Sequence, residues 1–263
     1  MRTLYLDAFS GISGDMFLGA LLDLGLDFDQ LKTELKKLPV HGYELTHERK
    51  AQNSIYGTSF DVQTATGKDF GFLEHPHHKN KNDHHDDHEA RHFSDIEKLI
   101  DASDLSINVK NNSKAIFKEI ATAEATVHNI PLMEVHFHEV GALDSIVDIV
   151  GCCIGLELMN VDLIMASPLS DGSGFINVAH GQMPVPVPAV MQMRVGSSIP
   201  IKQRLDVHTE LITPTGMGLV KTLVHEFGPL PEKADPVKVG YGFGKRDTGG
   251  FNALRAVLLL KKN

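Results

Sequence analysis

The sequence predicts an α+β protein: a single mixed globular domain over residues 1–263, carrying a His-rich flexible loop at residues 74–92. Three observations predict it. The 263 residues are 42% hydrophobic and 22% charged, an ordinary globular composition with material for one large core. Strand-like and helix-like periods are mixed without the regular strand–helix–strand alternation of a doubly wound sheet. One segment, residues 140–159, is apolar almost all round, as a helix buried in a core must be.

Residues 3–9 read as a strand that enters the turn Ser10-Gly11-Ile12-Ser13-Gly14-Asp15. A helix from Met16 to about Leu24 is ended by Gly25, and a second, over residues 27–38, is stopped by Pro39. Residues 43–49 and 58–64 alternate in polarity and predict a strand pair. Ser94 and Asp95 open a short helix, and residues 108–128 form a longer one before Pro131. The buried helix follows, then strands at 163–166 and 174–178. The alternate prolines of residues 180–188 forbid a helix and require extended chain. A helix is expected at 189–195. Thr213-Pro214 predicts a capped helix running to 227, and strands at 237–243 and 253–260 close the chain.

The formal net charge of −9 argues against nucleic-acid or anionic-membrane partners, because no basic face is available to displace counterions. Cys152 and Cys153 are the only cysteines, so a disulfide framework is excluded. The start shows no secretory signal pattern, and the apolar run near 149–158 is too short to span a bilayer. A cytoplasmic location is expected.

The chemistry concentrates in His136-Phe137-His138-Glu139-Val140-Gly141-Ala142-Leu143-Asp144-Ser145-Ile146-Val147-Asp148, which packs two imidazoles and three carboxylates into thirteen residues. His136 and His138 would share one face of a strand, and Asp144 and Asp148 one face of a helix. Buried carboxylates are costly unless paired or bound to a cation, so a metal or metal–phosphate site is one economical explanation. The competing one is two aspartates paired with core arginines. On the same helix Asp144, Asp148, Gly151 and Gly155 form a narrow stripe that should face something polar and close.

A second concentration is EHPHHKNKNDHHDDHEARH, residues 74–92, which holds seven of the fifteen histidines: His75, His77, His78, His84, His85, His88 and His92. With almost nothing apolar, it cannot offset its ordering entropy and should be a mobile loop. Imidazole suits Zn, Cu, Fe and Ni, so metal capture is preferred over a plain solvated linker.

Other candidates carry weaker signals. Ser10, Gly11, Ser13 and Gly14 could present backbone N–H groups to a phosphate at a helix N-terminus, but the spacing fits neither nucleotide-loop pattern. Asp15 reads equally as an N-cap or a catalytic acid, and Asp7, leaving an apolar strand, as a functional carboxylate. Gly240, Gly242 and Gly244 would let a flat ligand or another backbone approach one strand face. His180, and His208 with Glu210, are further possible ligands. No serine or cysteine nucleophile signature is present.

Three passages together, LDAFSGISGDMFLGALLDLG (6–25), VHFHEVGALDSIVDIVG (135–151) and HGQMPVPVPA (180–189), with TELITPTG (209–216) in support, closely resemble the LarC family of nickel insertion proteins. The resemblance covers nearly the whole chain. It implies CTP-dependent insertion of Ni(II) into pyridinium-3,5-bisthiocarboxylic acid mononucleotide, forming Ni–S and Ni–C bonds. The nickel-pincer cofactor so made would go to lactate racemase apoenzyme. Members of the family continue beyond this sequence. The resemblance therefore implies a C-terminal portion that holds CTP and its divalent cation, Mg or Mn, outside this chain. The reading of the residues themselves fits this, with metal contacts expected at His136, His138, His180 and the tract histidines, and the reaction centre at Asp7, Asp15, Glu139, Asp144 and Asp148. Two other classes remain open: a nickel storage or delivery protein without catalysis, and a divalent-metal phosphohydrolase.

Overall fold

The computed structural model describes residues 1–64, 91–137, 143–178 and 181–260. In chain order the elements are β1 (Arg2–Asp7), α1 (Gly14–Asp23), α2 (Phe28–Leu35), β2 (Tyr43–Gln52), β3 (Ile55–Thr64), β4 (Arg91–His92), α3 (Phe93–Asp101), α4 (Ile107–His128), β5 (His136–Phe137) and α5 (Leu143–Leu158). Then come β6 (Leu163–Ala166), β7 (Leu169–Asp171), β8 (Phe175–Val178), β9 (Gly181–Pro184), α6 (Pro188–Arg194), β10 (Ile201–Gln203), α7 (Pro214–Leu223), β11 (Glu226–Phe227), β12 (Asp235–Phe243) and β13 (Ala253–Leu260).

Among the described residues the main sheet has seven strands, ordered β11-β6-β1-β13-β12-β3-β2. It is mixed: β11, β6 and β1 run parallel, β13 pairs antiparallel with both β1 and β12, and β3 joins β12 in parallel. The first and last described strands are thus central neighbours, with Leu4 opposite Leu258 and Leu6 opposite Ala256. The expected single mixed domain is what forms.

Alternation sorts the two sheet faces. Leu4, Leu6, Leu254, Ala256 and Leu258 belong to the main core, while Tyr5, Val257 and Leu259 form a smaller cluster of their own. α1 lies on the core face across β12 and β3, α5 packs on α1, and α2 and α4 pack on α5. The other face is more lightly covered, with Val237 and Val239 half exposed. The outer strand β2 carries His47, Glu48, Arg49 and Lys50, all mostly solvated, which blunts the sheet edge against pairing with another chain.

Helix ends follow their sequence signals. The Asp27 carboxylate accepts from the Gln30 N–H at 2.9 Å, and the Ser106 hydroxyl from the Val109 N–H at 3.2 Å. Gly25, at φ +100°, closes α1: the Leu26 N–H returns to the Leu21 carbonyl at 3.0 Å. Thr213 caps α7 through the Gly216 N–H, but α7 stops at Leu223 rather than at 227. Val224 turns extended, and β11 then pairs with β6. Two strand residues are too few to display a period of two, so the helical reading ran past them.

Candidate functional site

The N-terminus of α1 is where charge gathers. β1 delivers the chain to the Ser10–Asp15 turn, which is fixed by a parallel bridge between Ile12 and Ile212. The Ile12 N–H donates to the Leu211 carbonyl, and the Ile12 carbonyl accepts from the Thr213 N–H. Gly11 (φ +83°) is required at this contact: a Cβ there would lie 2.1 Å from the Leu211 carbonyl oxygen. Ser10 is buried and its hydroxyl donates to Asn252 Oδ1 at 3.2 Å. Ser13 occupies the N-cap position in extended conformation, and its hydroxyl donates to Asp15, which also accepts from the Met16 N–H at 2.9 Å. Asp15 therefore meets the positive end of α1 directly.

Asp148, on α5, comes against this same helix end. A Cβ on Gly14 would meet the Asp148 carboxyl at 2.6 Å, so only glycine permits the approach. Asp148 Oδ1 is sealed from solvent and has no hydrogen-bond partner. Burial first, then the charges of Asp15 and Asp144, push its carboxyl well above the ordinary carboxylate range. Cys152, one turn along α5, donates weakly to the Gly14 carbonyl at 3.7 Å. Cys152 and Cys153 are both free and buried, as expected. Burial pushes the Cys153 thiol up to about 12.

Two residues complete the cluster that spacing did not single out. Lys245, in the turn between β12 and β13, places its ammonium 2.7 Å from Asp61 of β3 and 3.5 Å from Asp15. Burial would lower the Lys245 ammonium, but Asp15, Asp61 and Asp148 outweigh it and hold it above its ordinary range. Asp144 opens α5, and its carboxylate accepts from the Ser145 N–H at 2.7 Å. Among the described residues, no three His, Cys, Asp or Glu side chains already close on one point as metal ligands. The carboxylates are arranged around an ammonium.

A second juxtaposition joins two motifs that are remote in sequence. β4 and β5 pair antiparallel with His92 opposite His136, and their rings lie 3.9 Å apart at 47°. His92 ends the His-rich tract and His136 opens the motif that leads to Asp148. Phe137 turns the other way and packs on Phe117 in the core, which anchors the pair. His75, His77, His78, His84, His85, His88, His138, Glu139 and His180 lie outside the described residues.

Not every expected residue comes to the cluster. Asp7 projects from the opposite sheet face, where Arg255 grips it through both Nε and a terminal nitrogen. Gly240 and Gly242 do admit a close approach, and what approaches is the backbone of α1. A Cβ on Gly242 would meet the Met16 carbonyl oxygen at 1.8 Å, and one on Gly240 the Ala20 carbonyl oxygen at 2.7 Å. Gly244 lies against Asn252, with its would-be Cβ 2.5 Å from the amide nitrogen. The space before Gly240 and Gly242 is filled by the helix, which corrects their expected role as a ligand wall. Glu210 pairs with Arg246 at 2.5 Å, and His208 lies 3.5 Å from the Ser173 hydroxyl. Beside them Asp171 Oδ1 takes the Gly172, Leu211 and Ile212 N–H groups, pinning the segment whose bridge holds the Ser10–Asp15 turn.

Fold and site together define a mixed α/β protein that gathers carboxylates at one helix end and sets two imidazoles against each other on a short ribbon, groups suited to cations. Residues 4–263 match the family described as "Nickel insertion protein". The chain is 82% identical over 262 residues to the pyridinium-3,5-bisthiocarboxylic acid mononucleotide nickel insertion protein of Lactiplantibacillus plantarum, a match covering 100% of this chain and 62% of that protein. It is 52% identical over 258 residues to the protein of the same name from Acetivibrio thermocellus, covering 98% and 60%. A putative nickel insertion protein of Dictyoglomus thermophilum is 45% identical over 256 residues, covering 97% and 60%. No solved structure matches. This chain belongs to the nickel insertion protein family. It spans about three fifths of the length of these curated relatives.

Proposed function

We propose that this chain carries Ni(II) and delivers it into pyridinium-3,5-bisthiocarboxylic acid mononucleotide, in a CTP-dependent insertion that also needs a C-terminal portion. The finished nickel-pincer cofactor would serve lactate racemase. The observation that carries the reading is the His92–His136 pair. It sets the end of the His-rich tract, which we take to collect metal, against the start of the motif that runs into Asp144 and Asp148. Neutral imidazole is a suitable ligand for nickel in transit, and two rings leave coordination positions open for an incoming thiocarboxylate. The tract histidines would load the metal, with His138 and His180 as further ligands.

Insertion forms two Ni–S bonds and one Ni–C bond, and the ring carbon that takes nickel must give up its proton. A base is therefore needed beside the metal. Glu139 and Asp144 are the carboxylates nearest to the imidazoles in sequence, and Asp15 and Asp148 would support them. An anion at the α1 N-terminus would meet Asp15 and Asp148 already there, so Ser13 and Gly14 could hold a substrate phosphate only with a cation between. The family resemblance at 82% identity supports the substrate assignment through the relative's own name.

The test is cofactor maturation, read as lactate racemase activation, with the C-terminal portion supplied. His136→Ala and His92→Ala should each abolish maturation while the proteins stay soluble and folded. A variant lacking residues 75–90 should lose most of its nickel stoichiometry yet keep some maturation at high nickel. Normal maturation by a soluble His92→Ala/His136→Ala protein would sink the relay and leave nickel storage by the tract as the better reading.

A further inference from the structure

We infer that the outer sheet face at Val237 and Val239 seats the further portion that longer members of the family carry, which docks there through an apolar surface of its own. This rests on the reading that a C-terminal portion completes the protein, and on none of the nickel chemistry.

One apolar row crosses four strands of the main sheet. Met165 of β6 lies opposite Tyr5 of β1, Tyr5 opposite Val257 of β13, and Val257 opposite Val239 of β12. The row faces away from α1, because Gly240 and Gly242, the alternate residues of β12, are the ones that meet that helix. Its cover is uneven. Tyr5 and Val257 are each 5% exposed. The segment from β11 to β12 shields them: the Tyr5 hydroxyl donates to the Gly228 carbonyl at 3.0 Å, and Ala234 packs on the cluster. The shield stops there. Val239, next in the same row, is 44% exposed, and Val237, the extra residue of a β-bulge, 50%. β12 lies inside the sheet, between β13 and β3. These valines therefore stand on a sheet face, which a second layer normally covers.

The relatives supply the missing layer. The match takes in 62% of the Lactiplantibacillus plantarum protein and 60% of the Acetivibrio thermocellus one, so about two fifths of each lies outside it. β1 and β13 are antiparallel neighbours with Arg2 opposite Leu260, and Asp235, the first residue of β12, also lies opposite Leu260. Both ends of the sheet's central pair thus emerge together, and a portion joined at either one starts beside Val237. A body tethered so close meets this face at high effective concentration, and modest apolar contact then holds it. Neither valine has a side chain that can hydrogen-bond, so the docked surface is apolar at its centre. A second copy of this chain would lack the tether.

Thiol labelling reads the cover directly, because Cys152 and Cys153 are buried and an introduced surface thiol is the reactive one. Val239→Cys and, separately, Val237→Cys are made in the full chain and in the same chain continued by the part of the Lactiplantibacillus plantarum protein outside the match. Both thiols should react readily with a maleimide in the chain alone, and about tenfold or more slowly in the continued protein. Leu205→Cys, on an exposed turn, should react equally in both. Val239→Glu should leave the chain alone melting close to the parent. Added to Val237→Cys in the continued protein, it should restore fast labelling. Equal labelling of the two valine positions with and without the added portion overturns the docking. Slow labelling in the chain alone, with a dimer in light scattering, overturns it as well, since a second copy is then the occupant. Val237→Cys, at a bulge, decides the matter should Val239→Cys fail to fold. The labelling needs neither nickel nor CTP, so its outcome stands whatever the maturation assay returns for the nickel relay.

Discussion

Among single residues, Asp171 shows how a buried carboxylate can be structural and still carry a pH signature. It is fully buried and three N–H groups converge on one of its oxygens, while the other has no partner. Burial raises its pKa, and the hydrogen bonds from Leu211, Gly172 and Ile212, with the charge of Arg246, recover part of the cost. With the folded value above the unfolded one, the native state holds more protons in the window between them. Its contribution to stability is then present at low pH and is lost as pH rises from about 4 through the folded value. Asp171→Asn keeps the oxygen that accepts the three bonds and removes the charge. The variant should match the parent in urea unfolding at pH 4 and gain on it progressively toward pH 7. A constant offset between the two would show that Asp171 is ionised throughout. Nothing around position 171 marks this role in sequence, since the three donors come from residues 172, 211 and 212. Lys245 and Asp61 were hidden for the same reason: a lone lysine in a Gly-rich turn and one acid in an alternating strand have no local pattern. Asp148 was legible, because an acid on an otherwise apolar helix must be answered by something.

At the scale of elements, small residues decide which faces meet. On α5 the stripe of Asp144, Asp148, Gly151 and Gly155 was expected to face a polar surface, and only its first half does. Would-be Cβ atoms on Gly151 and Gly155 meet Leu18, Leu21 and Leu26, so the glycines serve close helix packing on α1. The alternating glycines of β12 left two occupants open, a ligand or another backbone, and the second is the one present at Gly240 and Gly242. Sequence shows that a face is bare without showing what fills it. Gly242→Ala tests the consequence. Its Cβ would strike the Met16 carbonyl oxygen and the Ala20 nitrogen, both backbone atoms that cannot rotate away. α1 must lift from the sheet, at a cost on the order of 1–3 kcal/mol in urea unfolding. Gly228→Ala, where nothing lies within 4 Å, should be close to neutral. Equal effects at the two positions would mean that α1 is not seated by the glycine. The turn-and-cap signals fared better: Thr213, Gly25 and Asp27 act where they were read, because each works through neighbours only a few residues away.

For the molecule as a whole, the fold class followed from mixed periodicity, while the strand order did not. A sheet that sets β1 beside β13 depends on pairing across the full chain, which no local window contains. The cysteines were placed correctly, buried and unpaired. No helix among the described residues is long and apolar enough to cross a membrane. The largest functional question at this scale is the nucleotide. Charge opposes a triphosphate here: the chain carries a formal −9, and its best candidate site is ringed by aspartates. The donors of the Ser10–Asp15 turn are partly spent, since the Gly11 and Ile12 N–H groups bond to the Ala8 and Leu211 carbonyls. The spacing of that turn also lacks the lysine that a phosphate loop places among the oxygens. On the proposed function nickel would have to shed its ligands and displace a ring proton, which would call for a driving force such as nucleotide hydrolysis. The expectation is therefore that the purified chain binds nickel, hydrolyses CTP poorly and completes little insertion. Adding a C-terminal portion of the kind that extends its relatives should restore CTP-dependent insertion, followed by nickel incorporated into the mononucleotide. The chain alone completing insertion at the rate of the pair would place the triphosphate within these residues, and the Asp15–Lys245 cluster would then have to be read as a nucleotide–metal site.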